Sequence, residues 1–328
     1  MERLTQERAN EILSTIRDRK IVVLGDIMLD EFVWGDVTRI SPEGPVPVVD
    51  VRRESIHLGG AANVLANLVA LGSRGSVIGV VGSDSAGERL RSSLAELGGQ
   101  KDELIVDHSR PSTIKTRIVA HNQLVVRADR ESRKPVDGKI EDRIITCLKE
   151  ALSTASAFVV SDYDKGVVTP RILEEVLPFA YERVPVLVDP KIRNLNSYRP
   201  ATLVTPNNHE ALRMSNTDDD SDEGLLKAAE LIQQRLSCDA VLITRGDKGM
   251  MLLENKNRPA YVKTAAREVY DVTGAGDTVI AALAAGLASG ATMIEAAMFA
   301  NQAAGIVVGK VGTATASADE LRAAFVSG

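Results

Sequence analysis

Ile21-Val22-Val23-Leu24-Gly25 is the stretch that decides the fold. Four consecutive apolar residues, closed by a glycine, read as a strand buried on both faces. Outward from it come further short apolar runs at 77–81, 158–160, 186–188, 203–204 and 241–244. Helical patterns lie between most of them, at 61–71, 87–97, 170–181 and 223–236. Buried strands alternating with helices predict an α/β fold, with a mostly parallel central sheet covered on both faces. Such sheets bind ligands beyond the carboxyl ends of their strands. Asp26, Asp162, Asp189, Thr205-Pro206-Asn207 and Arg245-Gly246 all stand at those ends.

Two segments break the alternation. Residues 46–53, among Pro42, Pro45 and Pro47, read as an added strand. Residues 112–127 alternate with period two: Ile114, Ile118, Leu124 and Val126 on one parity, Lys115, Arg117, Gln123 and Arg127 on the other. That pattern suits a sheet with one covered and one polar face. His121-Asn122 marks a hairpin turn that would shift the parity beyond it. These segments, about 31–54 and 110–130, predict a small β lid inserted into a single domain spanning 1–328. The lid's open edge offers a surface for a homodimer. A solvent-exposed edge guarded by its charges is the plainer alternative.

Composition narrows the class. Hydrophobic residues make up 44% and charged residues 26%, ordinary for a globular protein with a sizeable core. The net charge of −6 argues against a nucleic-acid or membrane-surface binder, so an anionic ligand needs a local basic site. Cys147 and Cys238 lie far apart and the four histidines are scattered, which disfavours disulfides and structural metal sites. Residues 1–20 read as a short amphipathic helix around Leu4, Ile12, Leu13 and Ile16, without the apolar core of a signal peptide. No run approaches the roughly 20 apolar residues that span a bilayer. A cytoplasmic enzyme is the expectation. The acidic run 218–223 reads as a solvated loop ending in helix-capping acids.

The chemistry gathers at Asp271-Val272-Thr273-Gly274-Ala275-Gly276-Asp277, a glycine turn before an alanine-rich helix. A helix start leaves N–H groups unpaired at the positive end of the dipole, so it can hold an anion. Gly274 and Gly276 let the backbone approach whatever is bound. Asp277 could take a proton from a nucleophile attacking that anion, and these parts suit phosphoryl transfer from a nucleotide. The alternative is an ordinary loop with Asp277 as helix cap.

With these features in view, the sequence resembles the ribokinase-like, PfkB-type carbohydrate kinases through nearly its whole length. Gly59-Gly60-Ala61-Ala62-Asn63 resembles the family's amino-terminal signature and 271–277 its carboxy-terminal one. Thr205-Pro206-Asn207-Asn208-His209-Glu210 matches its Asn-x-x-Glu motif, and Thr244-Arg245-Gly246-Asp247-Lys248-Gly249 its nucleotide-side loop. The resemblance implies a three-layer α/β/α sandwich with a β lid, using ATP and Mg²⁺, a monovalent cation being left open. It implies Asp277 as catalytic base, with Gly274, Ala275 and Gly276 forming an anion hole for the transferred group. Asn207 and Glu210 would hold Mg²⁺ through waters, though Glu210 could instead only cap its helix. Asp30, Gly59, Gly60 and Asn63 would bind sugar hydroxyls, while close helix packing would also account for the two glycines. Asp26 would share the sugar site or shape the turn. Thr244, Gly246, Gly249, Asn207, Asp271, Thr273 and Asn301 would serve the nucleotide. Lys191 is a candidate for neutralising phosphate charge, with a solvated lysine as the alternative.

Within the family, the residues 25–30, 40–48, 161–166 and 301–313 look closest to the kinases of D-glycero-β-D-manno-heptose 7-phosphate. That branch phosphorylates the anomeric hydroxyl, on the route to ADP-heptose and lipopolysaccharide. A substrate already phosphorylated needs a basic pocket, for which Lys115, Arg117 and Arg127 are the candidates, with Arg52 and Arg53 nearby in the pattern, and Gln123 on the same parity is a further substrate-binding candidate. Another sugar or sugar-phosphate kinase, or a non-catalytic sugar-binding regulator, remains an alternative. Many such relatives carry an adenylyltransferase domain with a His-x-Gly-His motif. None occurs here, so adenylyl transfer is not expected, whether this is a stand-alone kinase or a piece of a longer protein. The expected partners are sugar phosphate and ATP, with no nucleic acid and no membrane.

Overall fold

Alternation within the first strand sets the layers. The structure, a computed structural model, describes residues 4–97, 104–121, 123–255 and 258–326. In β1 (Lys20–Gly25), Ile21 and Val23 enter one hydrophobic core while Val22 and Leu24 enter another. Successive side chains of a strand point to opposite faces, so a strand apolar throughout needs cover on both.

Around β1 the first half places α1 (Gln6–Ile16), β2 (Ile27–Ile40), β3 (Pro47–Gly60), α2 (Ala61–Ala70), β4 (Arg74–Gly82) and α3 (Ser85–Glu96). Then come β5 (Leu104–Asp107), β6 (Thr113–Ala120), β7 (Gln123–Arg130), α4 (Gly138–Leu152), β8 (Ala157–Ser161), α5 (Pro170–Tyr181) and β9 (Val186–Asp189). The second half has β10 (Ala201–Val204), α6 (Asn208–Ser215), α7 (Asp222–Leu236), β11 (Cys238–Thr244), β12 (Met250–Glu254) and β13 (Ala260–Val262). Three helices close the chain: α8 (Ala275–Ala288), α9 (Met293–Val307) and α10 (Ala318–Val326).

The central sheet runs β13-β12-β11-β10-β9-β8-β1-β4-β5. Its pairings are parallel from β5 to β11 and antiparallel at β12 and β13. One face is covered by Ile12 of α1, Leu65 of α2, Ile280 of α8 and Phe299 of α9. The other is covered by Ile144 of α4, Leu173 of α5, Met214 of α6 and Ile232 of α7. The result is the expected three-layer sandwich. Side-chain caps start most of its helices: the Asp84 carboxylate accepts from the Gly87 N–H at 2.8 Å, and Ser221 caps α7 behind the acidic run.

The lid differs from expectation in two ways. It is a four-stranded sheet ordered β3-β2-β6-β7, with β2 beginning at Ile27, where the sequence reading had a turn after Gly25. Only Asp26 separates β1 from β2. Because β2 lies between β3 and β6 and is largely covered along its first half, it lacks clean alternation and reads poorly. Second, the apolar parity expected to be covered is open along β7: Ile114 on β6 is buried, but Leu124 and Val126 are exposed, as is all of β7. A register shift between Ile118 and Val119 changes the parity along the hairpin. His121 has a left-handed φ of 50°, while Asn122, the other half of the expected turn, lies outside the described residues.

Candidate active site

The glycine turn starts α8 without a side-chain cap, Gly274 taking φ 81° at the N-cap position. A Cβ at Gly274 would come within 2.6 Å of Asn63 Nδ2, so glycine is required on both counts. The Asp271 carboxylate accepts from the Thr273 N–H at 2.9 Å and the Gly312 N–H at 3.0 Å, pinning the turn to the carboxy-terminal loop. Of the three expected anion-hole donors, the Ala275 N–H is already turned onto the Val272 carbonyl at 3.2 Å. Gly276 faces open space at the helix start.

Asp277 is not the helix cap. It sits in the first turn of α8, 2% exposed, accepting from Asn63 Nδ2 at 2.8 Å and from the Tyr163 hydroxyl at 2.7 Å. Burial pushes its carboxyl up to about 6, and the two hydrogen bonds oppose that rise by favouring the anion. A carboxylate so poised can accept a proton near neutral pH. Asn63, expected on sugar hydroxyls, gives its amide N–H to Asp277; its own carbonyl Oδ1 accepts from Asn67 at 3.3 Å.

The loop after β8 brings Tyr163 to this point. Asp26, for which two roles were open, takes the structural one: its carboxylate accepts from the N–H groups of Tyr163, Lys165 and Val167 at 2.8, 3.1 and 3.1 Å. Burial pushes the Asp26 carboxyl up to about 6, the neighbouring Asp162 adding to the effect. Asp189 ends β9, and burial raises it further, to about 7, against the pull of Lys191.

On the lid side, Asp30 is buried and ion-paired with Arg117. Gly59 makes room for it, since a Cβ there would collide with Asp30 Oδ2. Gly60 has φ 59°, and its missing Cβ lets the Asp26 carbonyl close in. Both glycines are therefore used as packing. Lys115, opposite Asp30 in the ladder, stands 5.2 Å from the centroid of the Tyr163 ring. It has no ion pair or hydrogen bond among the described residues, and burial pulls its pKa down. Arg127 turns to Asp129 at 2.9 Å and is half exposed. Gln123 lies at the far end of the hairpin opposite Ala120. Neither is brought to Asp277. Arg53 lies over Trp34 at 5.0 Å, whereas Arg52 pairs with Asp36 at 2.9 Å.

On the opposite side, Asn207 and Glu210 form a reciprocal capping box at the start of α6. Glu210 also takes the Lys191 ammonium, which stands 5.6 Å from the Tyr163 ring centroid. Glu210 is thus a cap, as its plainer reading had it, and an ion-pair partner besides. Lys191 is not a solvated lysine. Among the described residues no group of three or more His, Cys, Asp or Glu is arranged to hold a metal ion. Thr244 bridges to Asn207 at the end of β11. Gly246 takes φ 57° facing open space, while Gly249 at φ 82° is closed against the Val262 carbonyl. Asn301 donates to the Lys263 carbonyl at 2.8 Å, bracing the loop before the glycine turn. Beside it, Arg267, Tyr270, Gln302, Gly305 and Ile306 line an open cavity of about 580 Å³.

The sequence reading placed Asp162 and Asp189 at strand ends but gave Tyr163 no role. Its signal was its place two residues past a strand end; nothing in the local pattern shows which way its ring turns.

This geometry can be set against known proteins. The model of the pfkB family carbohydrate kinases matches residues 18–320. The chain belongs to that family. It is a carbohydrate kinase, a phosphotransferase acting on an alcohol group. The bifunctional protein HldE of Geotalea uraniireducens (strain Rf4) is 44% identical over 319 residues, covering 97% of this chain and 65% of its own. The protein of the same name from Citrifermentans bemidjiense is 46% identical over 322 residues, covering 98% of this chain and 66% of its own. The chain thus spans about two thirds of the length of these relatives. Among solved structures, Escherichia coli phosphofructokinase-2 superposes with a TM-score of 0.79 at 19% identity, covering 94% of this chain and 99% of that one. Arabidopsis thaliana ribokinase, solved with ribose and ATP, gives 0.74 at 20% identity, covering 94% and 98%. At those identities the likeness shows the fold, a ribokinase-like sandwich. No helix among the described residues is long and apolar enough to cross a membrane.

Proposed function

We propose that this chain transfers the γ-phosphoryl group of ATP to the anomeric hydroxyl of D-glycero-β-D-manno-heptose 7-phosphate, giving the 1,7-bisphosphate. The observation that carries an already phosphorylated sugar is Lys115: a half-buried ammonium near Asp277 with no anionic partner at ion-pair distance among the described residues. A buried charge needs a partner, and a bound phosphate would supply one. The likeness to the HldE proteins over nearly the whole chain supports the heptose.

In this reading the sugar lies between Asp30 and Asp277 under the lid, and ATP lies across the carboxy-terminal half. The nucleotide base enters the cavity beside Gln302 and Tyr270. The phosphates reach the uncapped start of α8. Asp277 accepts the C1 hydroxyl proton as that oxygen bonds to the γ-phosphorus, and the bond to ADP breaks. The lid keeps out water that would otherwise hydrolyse ATP. Asn207 and Glu210, with the Asp189 carboxylate nearby, offer the oxygen donors that suit Mg²⁺ bound through waters. Bound there, Mg²⁺ would neutralise phosphate charge. Lys191 would then be shared between Glu210 and the phosphates.

A single domain for the described residues, a cytoplasmic location, and a homodimer through the lid complete the reading. The exposed Val51, Ile56, Leu124 and Val126 of the lid support the last.

The test is ADP release over a panel of sugars and sugar phosphates, with Lys115→Met alongside. Turnover confined to heptose 7-phosphate, with KM for that sugar raised in the variant, is expected. Faster turnover of an unphosphorylated sugar would overturn the assignment.

A further inference from the structure

Tyr163 is held from three directions. Its N–H donates to Asp26 Oδ2 at 2.8 Å, fixing the backbone at the start of the loop after β8. Two ammonium groups approach its ring, Lys115 of the lid at 5.2 Å from the centroid and Lys191 beyond β9 at 5.6 Å. Gly60 borders the ring edge, the Cβ position there standing 3.5 Å from Cδ2, at ordinary contact distance. The hydroxyl that results from this placement donates to Asp277 Oδ1 at 2.7 Å.

We propose that Tyr163 is a positioning residue for phosphoryl transfer, fixing the plane of the Asp277 carboxylate so that an open lone pair faces the attacking hydroxyl. The inference rests on Asp277 being the base, and so on the proposed reaction.

A carboxylate offers about four lone-pair directions on two oxygens. Asn63 takes one on Oδ2 and Tyr163 one on Oδ1, which leaves the carboxylate able to accept from a sugar but not to rotate. With Asn63 alone, it could turn about that single bond. A base held within hydrogen-bond reach of its proton is worth far more than one that must be caught in the right rotamer.

The Tyr163 proton stays where it is. Burial, with the carboxylates of Asp277, Asp189 and Asp30, raises the phenol well above its ordinary value. In the transfer the sugar proton passes to Asp277, the new O–P bond forms and ADP departs, with no proton leaving Tyr163. The charged groups acting on Asp277 come from several elements: Asp30 from β2, Lys115 from β6 and Asp189 from the end of β9. Any change at Tyr163 must therefore be read with those groups left intact.

Tyr163→Phe removes the hydroxyl and keeps the ring against the two lysines. It should lower kcat by about 10-fold or more, the usual effect of losing a hydrogen bond to a charged group. KM for both substrates should stay within about twofold, since uniform binding is untouched. The acid limb of the kcat profile should move to higher pH.

Site-specific 3-fluorotyrosine at 163, a stronger donor of nearly the same shape, should move that limb the other way. ¹³C NMR of the aspartate carboxyls in the ligand-free protein, assigned with Asp277→Asn, should show the same two opposite shifts. That measurement needs no sugar, so a wrong substrate assignment leaves it standing. An Asp277 titration unmoved in both variants, or a Tyr163→Phe effect confined to KM, would overturn the proposal.

Discussion

Asn63 of α2 donates to Asp277 of α8 at 2.8 Å, joining residues 214 positions apart. The bond continues inward: Asn67 donates to the Asn63 carbonyl oxygen at 2.9 Å and accepts from the Thr278 hydroxyl at 2.9 Å. The two glycine-rich signatures of the chain are thus one hydrogen-bonded unit, built where two small-residue helices pack closely. Burying such polar groups is stable only when each is satisfied, so each partner has a measurable role.

Asn63→Ala should lower kcat about 10-fold to 100-fold by loosening the base, with little change in KM for ATP. Because the Asn63 amide favours the Asp277 anion, the variant's acid limb should lie at higher pH than the wild type's. Steady-state kinetics between pH 5 and 9 check both. An unmoved limb would count against this role.

In the wild type, kcat should rise with pH through about 6, since Asp277 works only after losing its proton. Asp277→Asn should reduce kcat by about 10³-fold and erase that limb, a general base contributing roughly 10²–10⁴. Coupled measurement of ADP release reads both effects.

Stability should respond to pH through Asp189. Its folded carboxyl titrates at about 7 against 3.8 as the usual value, so the folded protein holds a proton that the unfolded chain has already lost. That contribution is complete below the unfolded value and disappears as pH rises through about 7. Asp189→Asn should therefore lose less Tm than wild type between pH 5.5 and 8. Thermal melts across that range decide it; parallel curves for the two proteins would refute the claim.

Gly60→Ala should destabilise the fold by about 1–2 kcal/mol or more, from a left-handed φ and a Cβ forced onto the Asp26 carbonyl. Urea titration should show a lower midpoint with an unchanged slope.

Periodicity carried most of the layered architecture. Runs such as 21–25 and 186–188 are apolar on both parities, and only a sheet covered on both sides buries them, so those strands needed no tertiary information. The lid was less legible. β2 lies inside its sheet and borrows cover from both neighbours, and the bulge in the β6–β7 hairpin breaks the parity on which alternation arguments depend. The candidate site divided in the same way. Asp277 and the glycine turn were marked by composition at a helix start, but Asn63, Asp26 and Tyr163 took their roles from neighbours 114 or more residues away.

The sequence by itself determined the alternation of buried strands and helices along most of the central sheet, and marked the glycine turn before α8 with the carboxylate beside it, because those follow from local backbone chemistry and hydrophobic period. The tertiary structure alone decided which side chains face one another. It turned Asn63 and Tyr163 onto Asp277, set Asp26 to building a loop, and left Lys115 half-buried without an anion at ion-pair distance among the described residues. Hydrogen bonds and ion pairs form between atoms a few ångströms apart in space, and no spacing along the chain records that distance.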